Sequence, residues 1–99
     1  MMGSGIDVRL KVLIEALLPS RNRYKTLESF SSISCDIWKN YWFDRRKPDA
    51  EMIGSVAAHW PQHAFWLATG KVDVEHGHTA PHGVKAPQIK RVSTFATAG

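Results

Sequence analysis

The sequence predicts an all-α protein of five short helices followed by an extended or disordered tail, and three observations predict it. Apolar residues recur at three- and four-residue spacing in successive segments. Cap and stop residues bracket those segments: Asp7, Ser34 and Asp49 at starts, Pro19, Pro48 and Gly70 at ends. No segment alternates apolar and polar residues as a half-buried strand would.

Taken in order, the opening 1–5 reads as a small, flexible N-terminus. Asp7 is the expected cap of a first helix to about Leu18, with Leu10, Leu13, Ile14 and Leu17 as its buried stripe. A second helix is expected from about Arg23 to Phe30, with Leu27 and Phe30 inward and Arg23 and Lys25 in water. Ser31 and Ser32 then form a turn that Ile33 pins to the core. The third helix starts at Ser34, whose hydroxyl oxygen can accept from an orphan amide, and Pro48 disfavours helix at Lys47. Asp49 caps a fourth helix of about Ala50 to His59, which turns Ile53, Val56, Ala57 and Met52 inward. Pro61 opens a fifth, because proline is tolerated at a first helical position, and Gly70 closes it as a left-handed residue. The domain organisation is therefore 6–70 as one helical domain and 71–99 as an extended or disordered tail, rich in Gly, Pro, His, Thr and Ala without period.

Composition narrows the class of partner. Thirteen Lys and Arg against nine Asp and Glu give a formal charge of +4 over 99 residues, which favours a polyanion. A single cysteine forbids an intramolecular disulfide and suits a reducing cytoplasm. The run Leu10 to Leu18 is far too short, and too interrupted by Lys11 and Glu15, to span a membrane. A core of this size is near the lower limit for self-sufficiency, so self-association would help it.

The third helix carries the chemistry. Asp36, Lys39, Asn40 and Phe43 fall at i, i+3, i+4 and i+7 on one stripe, apart from the apolar Ile37, Trp38, Tyr41 and Trp42. Asn suits the adenine N6/N7 edge, Lys the guanine O6/N7 edge, an aromatic ring the thymine methyl, and Asp the cytosine amine. An ordinary solvated helix face would look similar. Arg45, Arg46 and Lys47 follow at once, however, and three adjacent cations at a helix exit suit phosphates.

The order of helix, short helix, turn with Ile33-Ser34, third helix, Arg45-Arg-Lys-Pro48 and Ala-rich helix resembles the Cro and lambda-repressor-like (XRE) helix-turn-helix family over about residues 8 to 70. More narrowly, Tyr24-Lys-Thr-Leu-Glu-Ser-Phe30, Trp38-Lys-Asn40, Glu51-Met-Ile53 and Trp60-Pro-Gln-His-Ala-Phe-Trp-Leu-Ala-Thr-Gly70 look like small DNA-binding proteins of proteobacterial genomes and prophages. The resemblance implies a transcriptional regulator, expected to be a repressor, that binds operator DNA as a homodimer with the third helix in the major groove. It implies that Ile33, Trp38 and Tyr41 are scaffold and that Cys35, Asp36, Lys39, Asn40 and Phe43 face bases. Arg23, Lys25, Ser34, Arg45, Arg46 and Lys47 would then meet phosphates. The chain departs from the family at Ser32 and Asp44, where glycine is usual, and at Trp42, where a polar residue is usual. That last change leaves open a protein contact for this aromatic helix.

Other constellations are weaker. His76, His78 and His82 form the one dense histidine cluster, but a structural zinc site needs four ligands at defined spacing, so no metal or cofactor is expected. His59 and His63 read as loop and surface residues. Cys35 lies near a helix start, where the dipole lowers a thiol's pKa, so redox sensing competes with a small residue at a DNA surface. No nucleophile, base and orienting group occur as a set, and no enzyme is expected. Trp60, Phe65 and Trp66 exceed what so small a core needs and read as a dimer seam or core cover. The competing function is a protein-interaction module, antitoxin-like or a phage adaptor, using this fifth helix and the tail.

Overall fold

The computed structural model describes residues 5–89. Five α-helices follow one another: α1 (Ile6–Leu17), α2 (Arg23–Ser31), α3 (Cys35–Trp42), α4 (Ala50–His59) and α5 (Ala64–Thr69). Two short 3-10 turns, Pro61–His63 and Val74–His76, complete the regular structure, and no strand occurs among the described residues. All five helices feed one core. Leu10, Leu13 and Ile14 come from α1, Leu27 from α2, Trp38 and Tyr41 from α3, Met52 and Val56 from α4, and Trp66 and Leu67 from α5. α2 packs on α3 and α4, while α5 packs on α1 and α4.

Several helix ends form as expected and two do not. Ser34 Oγ accepts from the Ile37 amide and Asp49 Oδ1 from the Met52 amide, so both serve as N-caps. Gly70 takes the left-handed conformation at φ 78° that ends α5. Asp7, by contrast, lies inside the first turn of α1, and Gly5 stands at the cap position without a side chain to offer. The helix expected to open at Pro61 starts instead as a 3-10 turn and becomes α-helical at Ala64.

The chain after Gly70 is irregular, as its composition implies, but residues 71–89 are not detached from the core. Val72 and Pro81 are buried, Val72 and Gln88 form a parallel bridge, and Asp73 pairs with His78. Burying even a few apolar side chains holds a segment that has no periodic pattern to announce it. His63 is part of this docking and not a surface residue: it is 7% exposed, and its Nδ1 lies 2.7 Å from the Thr79 carbonyl. The Thr79 amide in turn donates to the Gln62 carbonyl.

Candidate nucleic-acid interface

α2 and α3 are joined by three residues, Ser32 to Ser34, and the hydrogen bonds of that turn converge on Ser31. Its hydroxyl donates to the Leu27 carbonyl at 2.6 Å and accepts from the Ile33 amide at 3.1 Å and from Trp38 Nε1 at 3.2 Å. One hydroxyl therefore ties the end of α2 to the turn and to the largest core side chain of α3. Ser32 takes the left-handed conformation at φ 62°, and Asp44, just past α3, does so at φ 63°. Both backbones have the left-handed conformation that glycine adopts without strain.

The other end of α3 is fixed from α1. The Tyr41 hydroxyl donates to the Asp7 carbonyl, and burial pushes its pKa upward. Lys11 Nζ donates to the Trp42 carbonyl at 2.9 Å and to Asp44 Oδ1 at 3.0 Å. A cation at the last carbonyls of a helix complements its dipole. Sequence reasoning did not single out Lys11, whose one signal was its i+4 spacing from Asp7 on α1, and it read Ser31 as part of the turn, whereas Ser31 is the last residue of α2.

With α3 held at both ends, its outer side presents Asp36 and Lys39, both exposed, and Asn40, half-buried. Phe43 follows as the helix cap, 57% exposed. Lys39 Nζ sits 5.7 Å from the Tyr24 ring centroid, and Arg45 lies over Phe43 while its Nη1 donates to Asn40 Oδ1 at 3.4 Å. These side chains are brought together as one surface with Arg45 at its edge. Lys25 and Ser34 are also exposed.

Two members of the expected set behave otherwise. Arg23 is buried, its Nη2 donating to the Leu18 carbonyl at 2.9 Å and its guanidinium lying 4.6 Å from the Trp42 ring centroid. Its burial and its bond to the Leu18 carbonyl make it a brace between the exit of α1 and α3 and argue against the phosphate contact expected of it. This also accounts for Trp42, a half-buried residue whose indole meets Arg23, Tyr24 and Lys11. Cys35 donates its thiol to Glu28 Oε1 at 3.0 Å, and that bond to a carboxylate holds its pKa above the ordinary thiol value. That direction is opposite to the lowering at a helix start on which the redox reading rested.

Of the cations after α3, Arg46 pairs with Asp49 at 3.1 Å and Lys47 with Asp7 at 3.2 Å. The Lys47 bond is the main cause of a lowered Asp7 pKa. Both pairs are solvent-exposed, so each adds little to stability. Among the described residues Arg45 has no carboxylate partner.

The aromatic trio near α5 divides. Trp66 is 4% exposed and belongs to the core, so it cannot be the centre of a dimer seam. Trp60 is half-buried against Phe30 and His59, and Phe65 is half-buried against His78. The histidines of 76–82 do not converge: His78 lies on Phe65, and the grouped ligand atoms are those of Asp73, Glu75 and His76, within 4.8 Å of one another. The Asp73 carboxylate there already meets His76 Nδ1 and Gln88 Nε2, each at 3.4 Å. No helix is long and apolar enough to cross a membrane among the described residues.

Compared with known proteins, the chain matches no family model and no curated protein.

Proposed function

We propose that this protein binds duplex DNA in a sequence-specific manner, with α3 in the major groove, and regulates transcription by occupying an operator. The observation that carries this reading is the outer side of α3. A short helix fixed at both ends by Ser31, Lys11 and Tyr41 presents Asp36, Lys39, Asn40 and Phe43 together, with Arg45 beside them. Groups that can pair with base edges are useful only when held in register, and phosphate contacts from flanking cations supply that register. Lys25, on α2, and Arg45, Arg46 and Lys47, after α3, flank the face on either side in the chain. The surface ion pairs of Arg46 and Lys47 exchange for phosphate at small cost.

Repression by occupancy requires no chemistry beyond binding. A homodimer on two half-sites about 10 bp apart is the simplest arrangement for so small a reader. Trp60 and Phe65 retain surface for such a contact, whereas Trp66 does not. The competing reading, a protein-interaction module using the aromatic fifth helix and the tail, loses Trp66 to the core and keeps Trp60 and Phe65.

The salt dependence of binding tests the proposal. Arg45→Ala is expected to weaken all duplexes alike and to reduce the slope of log K against log[salt] by about 0.9, the increment for one phosphate left unneutralised. An unchanged slope with altered discrimination among sequences would reassign Arg45 to base reading.

A further inference from the structure

We propose that the cleft between the start of α1 and the loop leaving α3 binds a small phosphomonoester that carries a flat aromatic ring, and that this ligand competes with DNA. The competition rests on the DNA contact proposed for Arg45; the binding does not. The cleft has a volume of about 340 Å³, at the small end of the range for ligand sites. Its walls offer two kinds of surface. Tyr41, Val8 and Pro48 supply an apolar side, and Val8 is 41% exposed on the first turns of α1, although large apolar side chains are otherwise mostly covered. A flat group laid against Val8 and Pro48 would remove that surface from water.

The second surface is cationic. The lining holds four cations, Arg46 among them, against the two carboxylates of Asp7 and Asp44. Lys11 is shared between Asp44 and the Trp42 carbonyl, and Lys47 reaches Asp7. Arg45 brings a guanidinium with no carboxylate of its own among the described residues. These three donors come from two elements, α1 and the loop after α3. A phosphomonoester offers three acceptor oxygens and close to two negative charges, which suits several separate cations, whereas a planar carboxylate suits a single guanidinium fork. Exposed ion pairs contribute little, so a phosphate can replace Asp7 or Asp44 as the partner of a lysine without large cost. Because Arg45 belongs both to this cleft and to the edge of the α3 face, a phosphate held here removes a cation from DNA.

Amide chemical shifts of the full chain, recorded without DNA during titration with adenosine monophosphate, test the site. Saturable shifts are expected at Val8, Lys11, Asp44 and Arg45, with inorganic phosphate at least tenfold weaker and adenosine inactive. Val8→Glu, a surface change that sets a negative charge against the ligand, is expected to weaken adenosine monophosphate at least tenfold. The same variant bound to duplex should need at least tenfold more of the nucleotide for release. Absence of saturable shifts in the wild-type chain at millimolar nucleotide, or unchanged affinity in Val8→Glu, would overturn the site. Saturable shifts without release of bound duplex would overturn the competition. Failure of the wild-type chain to bind any duplex would count against the DNA reading alone, since the shifts decide the cleft separately.

Discussion

Arg23 shows how a side chain's surroundings decide its role. Its sequence position marked it for a phosphate, yet its guanidinium packs on Trp42 and bonds the Leu18 carbonyl. Arg23→Ala should therefore cost about 2 kcal/mol of stability, from a charged hydrogen bond and the packing of the stem, and leave the salt slope of DNA binding unchanged. Denaturant unfolding and binding isotherms separate the two effects. Tyr41 gives a pH prediction with a definite sign. Burial raises its pKa in the folded state above the ordinary 10.0, so its contribution is complete below that value and is lost as pH rises through it toward the folded pKa. Alkaline titration should then show Tyr41 phenolate forming together with unfolding, and Tyr41→Phe should remove that component. Asp7 has the opposite sense: its pKa lies below 3.8 through the Lys47 bond. The stability it provides is present above that value and is lost as pH falls through the folded pKa, and Lys47→Ala should bring the carboxyl pKa back up.

Within the elements, legibility followed periodicity and capping. The bounds of α4, the caps at Ser34 and Asp49 and the buried stripe of α1 were all readable, because 3.6-residue spacing and short polar caps act locally. Trp38 and Tyr41 were likewise readable as apolar mass from their helical spacing. What was not readable depended on distant partners: the packing of Trp66, the covering of Trp42 by Arg23, and the docking of Val72 and Pro81 after Gly70. The exposure of Asp36, Lys39 and Phe43 agrees with the stripe read from spacing, whereas the Cys35 thiol turns to Glu28, a bond across two helices that spacing within one helix does not reveal. The turn at Ser32 supplies an element-scale test. A serine at φ 62° carries a steric cost that glycine avoids, so Ser32→Gly should stabilise the protein by about 1 kcal/mol. Thermal unfolding would register this as a higher Tm. Ser31→Ala should do the reverse by orphaning the Trp38 indole N–H and the Ile33 amide, and it should loosen α3.

As a whole molecule, the protein uses one small core to fix one short helix. Residues 71–89 contribute to that core through Val72, so the structural unit extends beyond the helical segment. Replacing Trp66 with Glu should unfold the chain without first separating subunits, since the cost of burying a charge at that depth is large. Circular dichroism would follow that loss directly. The central claim is that the exposed side of α3 reads bases, and its most direct test is the affinity of wild-type and Lys39→Ala protein for two duplexes, one recovered by selection from a randomised pool and one of random sequence. The account predicts that the selected duplex loses about 1–3 kcal/mol on substitution while the random duplex loses much less. Equal losses on both, or a selection that enriches no sequence at all, would contradict it.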